Sequence, residues 1–208
     1  ALVEESPTSP EARMAIDDLK RIYTDRGDVA TLTGWLSSVK DAPELDPSEL
    51  DRLAFASAEK EYMESDKTDR LAAYLKDYPQ GTNYPRALYY MAEASALDND
   101  YPQAYTYAEM LLSRYPDSES APDALLIRAD AEAAQGKTEA ALASYTDLEA
   151  RAANPSQLTR ARLGRLRAAT DLSRSEEALE AADRILASTA AGTPDRNEVL
   201  MTRGLALD

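Results

Sequence analysis

The side chains that most often carry out chemistry in proteins are thinly represented in this sequence. Its 208 residues include no Cys and no His. This composition excludes a nucleophile activated by imidazole, a zinc site built from the usual ligands, and thiol redox chemistry. The acidic stretch Asp98-Asn99-Asp100, followed by Glu109, faintly resembles a calcium-binding loop. That loop requires Gly at its sixth position, where this chain has Gln103, so we expect no calcium site.

Carboxylates are abundant, and a pair of them could in principle act as acid and base. The chain has 38 Asp and Glu residues against 23 Lys and Arg residues. No spacing singles out one pair of carboxylates, and their distribution is typical of a solvated helix surface. We therefore predict that the protein is not an enzyme and has no catalytic residues, cofactor or metal.

The densest basic stretch is L-T-R-A-R-L-G-R-L-R, residues 158–167. Its arginines are Arg160, Arg162, Arg165 and Arg167. On a helix, which turns about 100° per residue, they spread over more than one face. They could attract an acidic partner. We favour the second hypothesis, in which they neutralise Asp and Glu side chains on adjacent helices.

The net charge of −15 argues against two classes of partner. An acidic surface repels phosphate backbones and anionic lipids, so we expect neither nucleic-acid binding nor direct membrane insertion. No run of about 18 apolar residues is present. The chain is poor in Gly and rich in Ala, Leu, Glu and Arg, which favour helices. The expected fold class is all-α.

A repeat of 37 residues organises the chain. Residues 78–88 read Y-P-Q-G-T-N-Y-P-R-A-L, and residues 115–125 read Y-P-D-S-E-S-A-P-D-A-L. Ala104, Ala141 and Ala178 follow the same step. Apolar residues at 88, 91, 92 and 96 have the spacing of a helix with one buried face. Each unit is therefore predicted to be two helices, with Tyr-Pro ending one hairpin and the next proline opening the following one.

Capping residues predict where several helices begin. A capping side chain precedes proline at Ser9-Pro10, Asp46-Pro47, Asn154-Pro155 and Thr193-Pro194. Ser173 and Glu176 have the spacing of a capping box.

The stretch from Ala87 to Tyr105 resembles a tetratricopeptide repeat (TPR). The positions that carry the resemblance are Leu88, Met91, Ala92, Ala104, Ala108 and Pro116 in one unit, Leu125, Ala129, Ala141 and Tyr145 in the next, Leu166 and Ala178 in the one after, and Ile16, Leu19, Tyr23, Trp35 and Pro43 near the start. Arg128 and Arg165 stand where the family has Leu, and the unit from 47 to 79 fits worst, because its second helix is short and lacks the small residue. The 37-residue step is similar to that of bacterial cell-envelope TPR proteins of the outer-membrane assembly lipoprotein type.

The resemblance implies one right-handed superhelical solenoid over residues 1–208. It would contain about five hairpins and a lone C-terminal helix. The expected bounds are 10–45, 46–80, 83–117, 120–153 and 155–190 for the repeats and 194–206 for the last helix.

The first helix of each TPR hairpin lines the concave face of the array, and a partner segment binds there. By alignment the candidates are Arg86, Tyr89, Tyr90, Glu93, Asp123, Leu126, Asp130, Arg160, Leu163 and Arg167. The competing interpretation is that Arg86, Asp123 and Arg160, and likewise Asp130 and Arg167, merely pair across neighbouring repeats. The Lys and Asn residues with which some TPR domains clamp a peptide's terminal carboxylate are not present at these positions.

Tyrosines are concentrated in one region, since nine of the 12 lie between residues 74 and 115. Tyrosine is favoured at protein interfaces and also fills hairpin cores. We expect most of them to be structural, with Tyr89 and Tyr90 the best candidates for partner contact.

The expected function is non-catalytic protein–protein interaction, as a scaffold or adaptor that forms part of a larger bacterial protein. The resemblance favours the cell envelope or periplasm over the cytoplasm. Two alternatives remain open. The chain could be a self-associating spacer that forms a homodimer through its C-terminal helix, or the recognition module of a larger cell-envelope protein whose activity lies in another domain.

Overall fold

The computed structural model describes residues 2–188 and 194–205. Within them the protein is helical and has no strand, and the helices pack sequentially in adjacent pairs, as expected of an all-α helical repeat protein. The helices are α1 (Leu2–Glu5), α2 (Pro10–Arg26), α3 (Val29–Ser38), α4 (Pro47–Ser65), α5 (Asp69–Asp77), α6 (Tyr84–Leu97), α7 (Tyr101–Arg114), α8 (Ala121–Ala134), α9 (Thr138–Arg151), α10 (Pro155–Asp171), α11 (Ser175–Ser188) and α12 (Pro194–Leu205). The predicted fold class is confirmed.

The chain divides into two compact units within α6, one up to Met91 and the other from Ala92 onward. In the first unit α2 packs on α3 and on α4, and α4 packs on α5. In the second unit α8 packs on α9, α10 packs on α11, and the first helices α8 and α10 also contact each other. Helix α12 packs on α10 and α11. The single continuous solenoid and its repeat bounds stay predictions. Residues 189–190 and 206, at the predicted ends of the last repeat and the last helix, lie outside the described residues.

The predicted small positions form the core of the hairpins. Ala92, Ala104, Ala141 and Ala178 are all fully buried. In the second unit Ala141 packs in a cluster with Leu125, Ala129, Tyr145 and Leu148. Small side chains at these points let two helices approach closely while the larger neighbours exclude water.

Three predicted helix starts are confirmed by their side-chain caps. The side-chain oxygen of Ser9 accepts a hydrogen bond from the Ala12 N–H at 3.1 Å. Asp46 caps Ser48 at 2.8 Å, and Asn154 caps Gln157 at 2.9 Å. Thr193 lies outside the described residues.

The turns inside the hairpins recur with the 37-residue step. Asn99, Gly136 and Ser173 all adopt the left-handed conformation, with φ of 60°, 73° and 57°. The next residue's N–H then donates to a carbonyl five residues back, for example Arg174 to Ala169 at 2.8 Å. The capping box predicted at Ser173 is therefore wrong. Ser173 sits in the turn, and α11 begins two residues later, at Ser175.

The junctions between hairpins also repeat. Gly81 N–H donates to the Tyr78 carbonyl at 2.9 Å, and Ser118 N–H donates to the Tyr115 carbonyl at 3.0 Å. Helices α6 and α8 then begin, each with proline in its first turn. This confirms that Tyr-Pro marks the end of one hairpin and the second proline the start of the next. None of the helices described is long and apolar enough to cross a membrane.

Candidate protein-binding surface

Arg86, the first of the predicted contact residues, lies on α6 in the first unit and binds its neighbours there. Its Nη2 is 2.6 Å from Glu59 Oε1 on α4, and its Nε donates to the Tyr90 hydroxyl at 3.1 Å. The guanidinium carbon lies 5.7 Å and 5.6 Å from the ring centroids of Phe55 and Tyr90, a cation–π geometry. Arg86 thus covers an aromatic cluster.

Tyr90 is buried within that cluster. Its ring stacks on Phe55 with centroids 6.4 Å apart and lies 5.1 Å from Tyr62. Burial raises the pKa of Tyr90, and the hydrogen bond that its hydroxyl donates to Glu59 raises it further, against the opposing effect of Arg86. Tyr89 is half-buried and contacts Tyr90. Packing therefore accounts for part of the tyrosine concentration.

Asp123 ties α8 to the start of α10 in the second unit. Its carboxylate accepts a hydrogen bond from the Gln157 side-chain amide. The oxygen of that amide accepts from the Ala153 N–H at 2.8 Å. Asp123 therefore links two hairpins of the second unit through Gln157, and its predicted pairing with Arg160 is wrong, because Arg160 pairs with Asp130.

Asp130 has two donors from neighbouring helices. Tyr145 on α9 donates its hydroxyl to Oδ1 at 2.6 Å, and Arg160 on α10 donates from Nη2 to Oδ2 at 2.7 Å. Burial, followed by the charge of Asp130, raises the pKa of the Tyr145 hydroxyl well above its ordinary range, so it remains a donor. Asp130 thus pairs with Arg160 on the neighbouring hairpin.

The remaining candidates differ in how accessible they are. Leu126 is buried in the α8–α9 core, Leu163 and Glu93 are half-buried, and Arg167 is exposed. Arg160, Leu163 and Arg167 follow the i, i+3, i+7 spacing and thus share one face of α10. This face is the accessible part of the predicted surface in the second unit.

The other two arginines of the basic stretch are bound to carboxylates on adjacent helices. Glu149 on α9 accepts from Arg162 at 3.0 Å and from Arg165 at 3.1 Å, and Arg184 on α11 also lies 3.0 Å away. Burial alone raises the pKa of Glu149, but the hydrogen bonds from the three arginines outweigh it and hold that pKa below its ordinary value. The hypothesis that this stretch neutralises acidic side chains is confirmed for Arg160, Arg162 and Arg165.

Two buried polar pairs were missed by sequence reasoning. Tyr74 donates its hydroxyl to Asp51, whose other oxygen accepts from the Thr82 N–H at 2.8 Å. Ser144 donates to Glu132 at 2.6 Å. One signal was available for the first pair, because Asp51 stands where the next two repeats carry Leu88 and Leu125.

The arrangement is one of paired charges around apolar cores. Within residues 2–188 and 194–205, no group of three or more acidic side chains is arranged to hold a metal ion. Compared with known proteins, the chain matches no family model and no curated sequence.

Proposed function

We propose that this chain is a non-catalytic, TPR-like protein-interaction module that binds a segment of a partner protein along α8 and α10. The observation that supports the proposal is the face of α10 that carries Arg160, Leu163 and Arg167. It lies on a first helix of a hairpin and next to the first helix of the preceding hairpin. Successive first helices are the part of such repeats on which extended or helical partners bind.

The charge of this face suggests an acidic partner segment with an apolar side chain between its carboxylates. Asp123 and Asp130 are engaged by donors within the protein. Arg160 uses one nitrogen for Asp130, and 57% of its side chain remains accessible. A guanidinium has five N–H donors, so an arginine bound to one carboxylate can also bind a second.

The wider context is part of the same proposal. The resemblance to envelope TPR proteins supports a scaffold or adaptor role within a larger bacterial protein, with the cell envelope favoured over the cytoplasm.

The proposal is tested by affinity capture with matched charge-reversal variants. Arg160→Glu/Arg167→Glu reverses the face on α10, whereas Arg13→Glu/Arg21→Glu makes the same change of charge on exposed positions of α2. Circular dichroism must first establish that both variants are folded. We expect a partner captured by the parent chain to be lost from the α10 variant and retained by the α2 variant.

A direct binding measurement with the purified partner then decides the result. Loss of two exposed ion pairs should weaken binding by about tenfold, since each contributes up to about 1 kcal/mol. Equal affinity of the two variants would contradict binding on this face.

Self-association is the second candidate, and one observation favours it. Leu200 and Met201 on α12 are exposed, Met201 with 73% of its surface accessible. Light scattering over a range of concentrations tests this alternative. A dimer that Leu200→Glu/Met201→Glu abolishes would support it, and a strict monomer would contradict it.

A further inference from the structure

A groove runs between the second helices of two successive hairpins in the second unit. Helices α9 and α11 both pack on α10. The space between them is about 540 Å³. Its lining residues are Glu139, Leu142, Ala143, Thr146, Asp147, Ala150, Arg174 and Glu177. This groove involves none of the residues assigned to the α10 face.

The floor of the groove is apolar and lined by small side chains. Leu142 is buried and belongs to the core formed with α10 and α11. Ala143 and Ala150 are exposed along the same side of α9, two turns apart. From Glu139 to Ala150 the groove follows α9 for about 16 Å, which is the length of three helical turns.

The equivalent position one repeat earlier shares one feature with the groove, a cation beside the second helix. Thirty-seven residues before Leu142 and Asp147, the chain has Tyr105 and Met110. The ammonium of Lys137 lies 5.1 Å from the centre of the Tyr105 ring. Arg174 stands 37 residues after Lys137 and lines the groove, so both repeats place a cation at this point.

The walls of the open groove are predominantly acidic. Glu139, Asp147 and Glu177 have 66%, 48% and 42% of their side chains accessible. The single cation of the lining, Arg174, is bound to Glu139 at 2.7 Å and to Glu177 at 3.5 Å. Asp147 is paired with Arg151 at 3.4 Å. Three carboxylates against two arginines leave a negative excess of one charge, on a chain whose net charge is already −15.

We propose that this groove is a second docking surface, and that its occupant is a basic amphipathic helix of a partner protein. The apolar face of such a helix covers Ala143 and Ala150, and its Lys or Arg side chains reach Asp147 and Glu177. Helix-in-groove binding uses an apolar stripe for affinity, while complementary charge sets orientation and partner choice. The surface is independent of the one on α10, so either can fail without the other.

The test uses a fluorescein-labelled amphipathic peptide built from Leu and Lys, with a Leu and Glu peptide of the same pattern as its control. Fluorescence anisotropy is measured with the full chain. Asp147→Lys/Glu177→Lys reverses the groove, and Asp17→Lys/Asp18→Lys is its matched control on α2. The two pairs of substitutions are matched, because all four of these carboxylates are exposed. Each also forms an ion pair with an arginine or lysine on its own helix or just before that helix. Ala143→Gln/Ala150→Gln fills the groove with polar bulk and leaves the charge unchanged.

We expect the Lys peptide to bind the parent chain and the α2 variant equally, and the Glu peptide to bind neither. Both groove variants should weaken binding of the Lys peptide by about tenfold, the charge variant through two lost ion pairs. If the two charge variants lose affinity to the same extent, or the Gln variant binds like the parent, the attraction is a general one to an acidic protein and the groove proposal is overturned. Absence of binding to the parent chain would overturn it as well.

Discussion

The two units of this protein each bury a carboxylate, and they satisfy it in different ways. Asp51 in the first unit accepts from neutral groups, the hydroxyl of Tyr74 and a backbone N–H. Glu149 in the second unit, with only 8% of its side chain accessible, is surrounded by three arginines. The first carboxylate has neutral donors, whereas the second is held by ion pairs, so its contribution to stability should respond to pH and salt.

The same comparison holds for the repeat position itself. Two 37-residue steps after Asp51 and Tyr74, the chain has Leu125 and Leu148, both fully buried in one cluster. A polar pair and an apolar pair thus occupy equivalent places in two hairpins. The polarity of these two positions therefore differs between hairpins, and in each of these two hairpins the members of the pair match each other in polarity.

The largest effect is expected at the apolar member of this comparison. Leu148→Ala should lower the free energy of unfolding by about 2–5 kcal/mol, because it removes buried methyl groups and leaves a cavity in the α8–α9 core. Urea unfolding measures the change. A loss within the ±0.5 kcal/mol typical of surface substitutions would show that this core relaxes to close the cavity.

Glu149, the carboxylate surrounded by arginines, should give the next largest effect on stability. Glu149→Gln should lower the free energy of unfolding at neutral pH by about 1–3 kcal/mol, because three arginines lose the negative charge and one of the two acceptor oxygens that they share. The pKa of Glu149 is lowered in the folded protein from its ordinary value of 4.5. Its contribution is therefore fully present above that pH and is lost as the pH falls through the folded value.

The pH dependence provides the control for this prediction. The gap in stability between the parent chain and Glu149→Gln should narrow as the pH is lowered below 4.5. Glu176→Gln, an exposed change on α11, should leave the stability profile close to that of the parent. A gap that stays constant down to strong acid would contradict the charge-based account.

Asp51, the carboxylate with neutral donors, should give a smaller effect on stability, and a second substitution should reverse it. Tyr74→Phe removes a donor from the buried Asp51 and should lower the free energy of unfolding by about 1–2 kcal/mol. Asp51→Leu/Tyr74→Leu copies the pair found at Leu125 and Leu148, and should recover most of that loss. A double variant less stable than Tyr74→Phe would show that the Asp51 bond to Thr82 cannot be replaced by apolar packing.

The smallest effect concerns a turn that both units use. Gly27 in the first unit and Ser173 in the second adopt positive φ after a first helix. Ser173→Gly should raise the free energy of unfolding by about 0.5–1 kcal/mol, because glycine has no Cβ to strain in this conformation. Gly136→Ser, at the equivalent turn, should lower it by a similar amount, and thermal unfolding would detect both shifts. Equal stability of all three proteins would mean that the turn carries no strain.

Sequence reasoning predicted the helices well, because their determinants are local. Proline after a capping side chain located the starts at Ser9, Asp46 and Asn154, and the 37-residue step located the buried alanines. Ser173 was misassigned because serine occurs both as a helix cap and in turns. The backbone register decides between the two roles.

The candidate surface was harder to predict than the fold. Periodicity assigned Leu126 and Tyr90 to the first helices, but it could not show that both side chains point into the core. It placed acidic residues opposite arginines without fixing which residues bind each other. In the structure Asp130 pairs with Arg160, and Asp123 accepts a hydrogen bond from Gln157. Such choices depend on side-chain length and on the offset between helices, which a single sequence does not encode in any short pattern.

The recurrence of the turns at Asn99, Gly136 and Ser173 has a consequence for how such a chain can change in length. A deletion or duplication of one 37-residue segment, made between equivalent positions, joins the same turn residue to the same helix start. Recombination between the copies would therefore add or remove a whole hairpin without requiring a new linker. The number of hairpins can in this way evolve separately from the side chains that each one displays.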